Sequence, residues 1–544
     1  MMPLNPSQRS AAAAAVHALT SRRPFLLIGP AGTGKTTTAV AIIDTLNAIN
    51  LRVAATAPTH AAAKVLARKL KAAGLELGFC GTIHSLLGLS PSSDDAVRRL
   101  RRTGENKASG FDVVVLDEAS MVGRELQAEI DELAPLAVLY LGDSAQLPPV
   151  MEANAPVFSS GIDMAELREI VRQGNGNPII EAASDIRAQM PLGTFDYGWA
   201  TASHDEKKGI FCPPGAEAIN LLREAFTPYW ALDPDAARVL AFTNRRVAQY
   251  NRLIRTWLYG ETETPFVPDE RVVCRRPIVR WQSNLSGKGV RETLFHTLEE
   301  TTVVSIKRTM HIFNFPPQPD ERAENGEHWQ AIEGWEIEMP VWAVWLHNEA
   351  FGPVLTLMPV DPGHVRQIDA RLISEARLNR RRWGHRYGFL EKIADLRSPY
   401  AMTVHCSQGA TFDRVFIDFA DLAAAKGAPL FRQRLAYTAI TRPADAALLL
   451  HSTQDSDCLL AAALAAQSIT PGDDEEPLDL DGLPLLPPSE AEKNLRAKID
   501  ALLRRQNFLT LWEREFLASL AKRRNVTQKQ CVIIKRIAAR EGIL

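Results

Sequence analysis

Cysteine is scarce in this chain, and its few copies form no ligand pattern. The 544 residues include 6 cysteines, and none belongs to a C-x-x-C pair or to the Cys/His spacing of a zinc site. Scattered thiols of this kind are typical of a reducing compartment rather than of a secreted, disulfide-linked protein. We therefore expect a cytoplasmic protein with reduced thiols and no structural zinc.

Long apolar runs are also absent. No segment reaches the roughly 20 apolar residues that a membrane-spanning helix needs. The alanine run at residues 11–15 follows a polar start and precedes Arg22 and Arg23, a setting that favours an ordinary helix over a signal peptide. The sequence therefore predicts no association with a membrane.

A strong charge of either sign is missing as well. Lysine and arginine number 62, aspartate and glutamate number 64, and the formal net charge is -2. A nearly neutral chain exerts no overall attraction on nucleic acid, so any such binding must come from a local groove. With 46% hydrophobic residues the chain can fill several cores, and its length exceeds what one core supports.

A phosphate-binding motif is present near the start of the chain. Residues 29–36, GPAGTGKT, match G-x-x-x-x-G-K-[ST] between a short apolar run at 25–28 and a helix-permissive run at 37–46. In this context the loop N–H groups point at phosphate oxygens, the lysine reaches the β- and γ-phosphates, and the hydroxyl binds Mg²⁺. The predicted nucleotide-binding residues are Gly29, Pro30, Ala31, Gly32, Thr33, Gly34, Lys35, Thr36 and Thr37.

Acidic and amide side chains follow two further apolar runs. Asp117 and Glu118 end the run at 111–116, and Gln146 follows the run at 137–141. Strands that alternate with helices form parallel sheets, which bind ligands at their carboxyl edge. We therefore predict that Asp117 and Thr36 hold Mg²⁺, that Glu118 accepts a proton from the attacking water, and that Gln146 orients this water or senses the γ-phosphate.

A helix start precedes the phosphate-binding loop. Residues 4–8, LNPSQ, carry the signal, and Ser7 is the predicted cap. Gln8 then lies in the first turn, where its amide could bond the edge of a purine.

Together these segments resemble the RecD-like and Dda-like helicases of superfamily 1, the 5′ to 3′ class. The resemblance rests on NPSQ at 5–8, GPAGTGKTT at 29–37, APT at 57–59, TIHSL at 82–86, DEAS at 117–120 and GDSAQLPPV at 142–150. It continues through LREIVRQ at 167–173, VLAFTNRRVAQYN at 239–251, YAMTVHCSQGATFD at 400–413 and LAYTAITR at 435–442. The motifs cover most of the first 450 residues in the family's order.

The resemblance implies an α/β fold with two RecA-like parallel-sheet P-loop domains, a small β-barrel insertion and a C-terminal helical module. The first domain is expected at 1–190, with a pin-like insertion at 87–110. The second is expected at 191–261 and 399–465, interrupted by the barrel at 262–398, where short β-like runs are divided by glycine and proline.

The resemblance also assigns roles to single residues. Arg442 corresponds to an arginine finger, Arg172 to an arginine that reaches the γ-phosphate, and Gln408 and Gly409 to nucleotide-site residues. Cys406 stands where the family usually carries a lysine. The residues that correspond to sequence-independent contacts with single-stranded DNA are Pro58, Thr59, His60, Thr82, His84, His405 and Ser407.

Residues 466–544 lie beyond the resemblance. Residues 466–489 are acidic and rich in proline, which predicts an extended linker. Residues 490–544 are basic and contain two capping boxes, TLWE at 510–513 and TQKQ at 527–530, which predict a helical module. This module could bind DNA or a replication, repair or nuclease partner.

The resemblance implies an ATP-dependent, Mg²⁺-dependent 5′ to 3′ DNA helicase or translocase that acts on single strands and duplex junctions. The insertion at 87–110 holds no aromatic residue, which favours translocation over strand separation by a stacking wedge. Two alternatives stay open. One is an RNA-directed helicase, and the other is a non-unwinding motor or switch subunit of a nuclease or recombination complex.

Overall fold

A computed structural model gives the structure of the chain. It describes residues 4–91, 100–102, 105–135, 137–149, 152–169, 177–192, 202–205, 208–213, 215–227, 230–283, 289–322 and 328–450. Arg172, the predicted linker at 466–489 and the predicted module at 490–544 lie outside these residues. The described residues form two compact units: unit 1 runs to Ile254 and resumes at Tyr400, and unit 2 is Arg255–Pro399.

The first sheet of unit 1 is wholly parallel, in the order β3-β2-β6-β7-β1-β8. Strands β1, β2, β6 and β7 are buried along their whole length, as expected when helices cover both faces of a parallel sheet. Its elements and those around it are α1 (Pro6–Thr20), β1 (Phe25–Ile28), α2 (Lys35–Ala48), β2 (Val53–Ala57), α3 (His60–Ala72), β3 (Phe79–Thr82), α4 (Ile83–Leu87), β4 (Leu89–Pro91), β5 (Leu100–Arg102), β6 (Val113–Leu116), α5 (Arg124–Leu133), β7 (Ala137–Gly142), β8 (Asp163–Glu166) and α6 (Pro178–Gln189).

The second sheet of unit 1 has the order β21-β11-β22-β23-β10-β9, and all neighbours except β10 and β9 run parallel. Its strands and helices are β9 (Ala202–Asp205), β10 (Lys208–Phe211), α7 (Gly215–Ala225), β11 (Ala237–Ala241), α8 (Asn244–Tyr259), β21 (Ala401–Thr403), β22 (Phe412–Asp418), α11 (Phe419–Ala423), α12 (Pro429–Ile440) and β23 (Pro443–Leu450). The predicted fold class of two parallel-sheet α/β domains is confirmed.

Unit 2 contains a five-stranded antiparallel sheet in the order β19-β18-β15-β12-β20. Leu357 of β19 also forms an isolated parallel bridge with Ile393, which precedes β20. This sheet lies within residues 262–398, where a β-barrel insertion is expected; closure of the sheet into a barrel stays a prediction. The elements of unit 2 are β12 (Arg271–Cys274), β13 (Ile278–Ser283), β14 (Gly289–Phe295), β15 (Glu300–Phe315), β16 (Glu321–Arg322), β17 (His328–Trp329), β18 (Trp335–Asn348), β19 (Gly352–Pro359), α9 (Pro362–Leu378), α10 (Arg382–Lys392) and β20 (Leu396–Arg397).

Three details differ from the sequence-based expectations or extend them. The cap of α1 is Asn5 and not Ser7, because the Asn5 side chain accepts from Gln8 N and Pro6 opens the helix. Helices α9 and α10 were not predicted, although Asp361 and Pro362 form a recognisable helix start. The predicted pin-like insertion contains the antiparallel pair β4 and β5, while residues 92–99 and 103–104 lie outside the described residues.

Within the described part of the chain, no helix combines the length and the apolar character that crossing a bilayer requires.

Candidate functional site

The phosphate-binding loop lies between β1 and α2, at the carboxyl edge of the first sheet. Lys35 donates its ammonium group to the carbonyl oxygens of Gly29 at 2.7 Å and Pro30 at 3.0 Å. Gly34 has a φ of +78°, a conformation that side chains rarely adopt, and a Cβ there would lie 2.5 Å from Gln8 Nε2. The loop therefore combines a lysine cation with the backbone conformation that a phosphate-binding loop requires.

Gln8 supports this loop from α1. Its Nε2 donates to Thr33 O at 3.0 Å, and its Oε1 accepts from Asn5 N at 2.9 Å. The side chain is buried, so both ends of the amide bind within the chain. The predicted contact with a purine stays a prediction, and the observed role is to hold the loop against the helix start.

Thr36 and Asp117 supply neighbouring oxygen ligands. Thr36 Oγ1 lies 3.4 Å from Asp117 Oδ2, and Asp117 N is fixed by a bond to Thr56 O at 2.9 Å. A hydroxyl and a carboxylate are the ligands that Mg²⁺ accepts beside phosphate oxygens and water. The residues present therefore fit the predicted magnesium ion.

Glu118 is held in an unusual backbone conformation. Its φ of 53° and ψ of 44° are left-handed, which costs of order 1–3 kcal/mol for a residue other than glycine and is concentrated at functional sites. Burial raises the pKa of Glu118, and the adjacent Asp117 raises it further, while Arg442 and Lys35 act in the opposite direction. A carboxyl with a raised pKa is suited to accept a proton.

Gln146 joins Glu118 to Arg442. The amide is oriented by its partners, because the opposite orientation sets oxygen against oxygen. It then donates to Glu118 Oε2 at 3.3 Å and accepts from Arg442 Nη2 at 3.3 Å. Gln146 and Glu118, which follow β7 and β6 of the first sheet, are thus connected to the guanidinium group of Arg442, which lies beside the second sheet.

Arg442 is buried and positioned by its own segment. Its Nε donates to Thr438 O at 3.0 Å, its Nη1 to Ala410 O at 3.1 Å, and its Nη2 to Thr441 Oγ1 at 3.0 Å. These bonds fix the plane of the guanidinium at the junction of α12 and β23, with one edge toward Gln146.

The loop after β7 is bound by side chains that belong to the second sheet's elements. Leu147 N donates to Thr438 Oγ1 at 3.1 Å, and Gln408 Nε2 donates to Leu147 O at 3.0 Å. Next to Gln408, Gly409 has a φ of +78°, and a Cβ there would lie 2.8 Å from Ala62 Cβ. The backbone of residue 409 therefore approaches α3 as closely as glycine allows.

A buried polar network, missed by the sequence reasoning, lies beside this loop. Asp143 accepts from Arg187 at 2.7 Å and from the Tyr437 hydroxyl at 2.6 Å. It also accepts from Ala145 N at 3.1 Å, which orients the turn before Gln146. Asp143 follows β7 as Asp117 follows β6, and this parallel was a signal available in the sequence. Nothing in the sequence indicated its partners.

A pocket opens between the loop and these elements. Its walls include Pro30, Ala31 and Gly32 of the loop, Arg187 of α6 and Tyr437 of α12. The described residues thus surround the loop with groups from both sheets.

The predicted DNA contacts do not all reach a surface. Ser407 is fully buried and donates to Val404 O at 2.9 Å, and Thr82 is buried as the cap of α4, where it accepts from Ser85 N. Local turns use both hydroxyls, and contact of these two residues with DNA stays a prediction. Pro58 and Thr59 lie between β2 and α3, and His60 begins α3.

The two other predicted DNA contacts are histidines whose pKa is shifted by burial. Burial lowers the pKa of His84 and of His405, so both rings are neutral at neutral pH. The His405 ring lies 6.3 Å from the Phe242 ring and 6.2 Å from the Phe431 ring. These histidines can donate hydrogen bonds or stack, but they do not supply a charge. Cys406, beside His405, is partly exposed and not in a disulfide.

Similarity to known proteins falls on the same segments. Residues 3–198 match the family described as an AAA domain, and residues 399–450 match the UvrD-like helicase C-terminal domain. The chain is 25% identical over 466 residues to the ATP-dependent DNA helicase dda of Enterobacteria phage T4, covering 81% of this chain and 97% of that protein.

Two further similarities are weaker or shorter. The ATP-dependent RecD2 DNA helicase of Deinococcus radiodurans is 32% identical over 172 residues, which are 31% of this chain and 22% of that protein. A solved structure of two coordinating Pif1 helicases at forked double-stranded DNA covers 86% of this chain and 98% of its own, at 16% identity and a TM-score of 0.41.

Proposed function

We propose that this chain, which belongs to the RecD-like and Dda-like helicases of superfamily 1, couples ATP hydrolysis to 5′ to 3′ movement along single-stranded DNA and to duplex unwinding. The observation that carries the proposal is the contact of Gln146 with both Glu118 and Arg442. It unites a base, an orienting amide and a cation in the arrangement that phosphoryl transfer requires.

The reaction follows from the positions of these side chains. Lys35 and the loop amides bind the β- and γ-phosphates of ATP. Gln146 orients a water molecule, Glu118 takes its proton, and Arg442 stabilises the negative charge that spreads over the transferred phosphoryl group. A magnesium ion held by Thr36 and Asp117 would neutralise phosphate charge during this step.

Movement along DNA follows from the division of the site between two sheets. Arg442 and Gln408 come from segments of the second sheet, while Lys35 and Glu118 come from the first. A γ-phosphate that contacts residues from both sheets stabilises the state in which the two groups of residues are close together. Loss of the γ-phosphate removes this stabilisation. Thr59, His60 and His84 of the first set and His405 of the second are the groups proposed to hold single-stranded DNA.

The decisive test is unwinding of matched duplexes that carry a 5′ or a 3′ single-stranded tail, in DNA and in RNA. We expect ATP-dependent unwinding of the 5′-tailed DNA. Preference for RNA would select the RNA-directed alternative. DNA-independent ATP hydrolysis without unwinding, together with co-purification with a nuclease, would select the switch subunit.

A further inference from the structure

The end of α9 and the first turns of α10 concentrate positive charge within unit 2. Residues 376–392, ARLNRRRWGHRYGFLEK, contain five arginines and one lysine against a single glutamate. The formal charge of the whole chain is only -2. This local excess is therefore a property of the segment and not of the composition, and it is the kind of local basic surface that attracts a polyanion.

One face of α10 is fixed to the interior. Arg382 is fully buried and donates to Pro316 O at 2.8 Å and Glu333 O at 2.9 Å, and it pairs with Glu375 at 2.9 Å. Phe389, seven residues later, is buried 5.0 Å from the Phe313 ring. Because residues seven apart share a helix face, this face of α10 packs inward, while Glu391 on another side pairs with Arg291 of β14 and Trp383 and Tyr387 stay partly exposed.

The outward side carries a pair of stacked aromatic rings. Trp383 and Tyr387 lie one turn apart, with centroids 6.0 Å apart and planes at 16°. The Arg386 guanidinium lies 5.5 Å and 5.7 Å from these rings. Both rings are partly exposed.

Most nearby acids are already paired. Asp369 binds Arg386, Glu321 binds Arg381, and Glu375 binds Arg382. Arg377 and Arg380 are exposed, and no acidic side chain among the described residues lies within ion-pair distance of them. The carbonyl oxygen of Arg380 accepts from Trp383 N at 3.2 Å, and Arg377 lies three residues earlier at the end of α9. Two cations are therefore available in the segment that leads into the stacked rings.

Two glycines on α10 leave its backbone bare. Gly384 and Gly388 are one turn apart, beside Trp383 and Tyr387, and a Cβ at either position would meet no atom within 4 Å. Glycine costs a helix about 1 kcal/mol relative to alanine. Neither glycine is required by packing within the described chain, so the bare surface is suited to close approach by an external molecule.

We propose that this corner, formed by Arg377, Arg380, Trp383, Gly384, Tyr387 and Gly388, is a second binding surface for single-stranded DNA. The arginines contact phosphates, the bare helix backbone admits the sugar-phosphate chain, and an unpaired base stacks on the exposed side of the ring pair. Stacking needs a base free of its neighbours, which single strands provide and duplexes do not. An acidic peptide would use the arginines but leave the aromatic rings without a matching partner.

The first test measures binding of the full chain to labelled oligothymidylate, without nucleotide, over a range of salt concentrations. The double variant Arg377→Gln and Arg380→Gln should bind more weakly by about tenfold and lower the slope of log affinity against log salt by about 1.4, since each phosphate contact contributes roughly 0.7 in single strands. The control Arg366→Gln removes an exposed cation at the other end of α9 and should leave both quantities unchanged.

The second test separates binding from folding. Gly384→Ala and Gly388→Ala have room for the added methyl group, so the Tm should stay constant or rise while affinity for the oligonucleotide falls several-fold. Equal affinity of the arginine double variant and the wild type, or full affinity of the alanine variants, would overturn the proposal. ATP hydrolysis in the absence of DNA should be unaffected in all of them. Because the measurement needs no turnover, its failure is distinct from a failure of the helicase function.

Discussion

Tyr437 donates its hydroxyl to Asp143 at 2.6 Å, although the two residues are 294 positions apart. The bond links α12, which leads to Arg442, with the turn that presents Gln146. Burial raises the pKa of Tyr437, and Asp143 raises it further, so the phenol keeps its proton and remains a donor. We infer that Tyr437, Asp143 and Arg187 position the catalytic groups through these bonds.

Tyr437→Phe should lower the ATP hydrolysis rate while leaving the KM for ATP nearly constant. The change removes one donor from a buried carboxylate, which should cost about 1–3 kcal/mol in the free energy of unfolding. Thermal unfolding and steady-state hydrolysis with saturating single-stranded DNA measure the two effects. Tyr140→Phe is the matched control, because that buried hydroxyl binds the neutral amide of Gln127 and should leave hydrolysis unchanged. An unaltered rate in Tyr437→Phe would contradict the positioning role.

Lys35→Ala should lower the rate of ATP hydrolysis by at least about a hundredfold to a thousandfold, because a preorganised cation is removed from the phosphates. Binding of single-stranded DNA should largely survive. The exposed Lys71 of α3 offers a control, and Lys71→Ala should hydrolyse ATP at the wild-type rate. Normal hydrolysis in Lys35→Ala would mean that ATP is bound elsewhere.

Glu118→Gln should keep ATP binding and reduce hydrolysis by about a hundredfold to ten-thousandfold, the range for loss of a general base. The amide keeps the shape of the side chain, so the bond with Gln146 is disturbed little. Binding of a fluorescent ATP analogue and single-turnover hydrolysis separate the two effects. Wild-type turnover would remove Glu118 from the mechanism.

Arg442→Ala should reduce DNA-stimulated hydrolysis about a thousandfold, with a much smaller change in nucleotide affinity, because the contact is stronger in the transition state. It should also move the acid limb of the pH–rate profile. The base must be deprotonated, so the rate falls as the pH falls through the pKa of Glu118. Arg442 lowers that pKa, and its loss should shift the limb to higher pH. A limb that stays in place would show that Glu118 does not sense Arg442.

Gln8→Glu should weaken nucleotide binding while preserving the cap of α1. A carboxylate can still accept from Asn5 N, but it cannot donate to Thr33 O. The loop should lose about 1 kcal/mol of support, or roughly fivefold in affinity for ATP. Gln8→Ala loses both bonds and should also lower the Tm. Equal ATP affinity of Gln8→Glu and the wild type would show that the bond from Gln8 to Thr33 does not contribute to nucleotide binding.

The strands of the first sheet were predictable because burial on both faces leaves continuous apolar runs. The runs at 25–28, 111–116 and 137–141 correspond to β1, β6 and β7. The burial of Ser407 and Thr82 was not predictable, since a motif position does not reveal whether its hydroxyl is used by a local turn. Helices α9 and α10 were missed among the β-like runs of residues 262–398.

The sequence by itself determined the phosphate-binding loop, the acids that follow β6 and the parallel arrangement, because each depends on local pattern and on the shared edge of parallel strands. The tertiary structure decided which distant groups meet. Gln146 between Glu118 and Arg442, Asp143 with Tyr437 and Arg187, and the outward face of α10 arise from packing between elements far apart in the chain. Such contacts depend on how elements that are distant in the chain pack together, and the local periodicity of the sequence does not encode that packing.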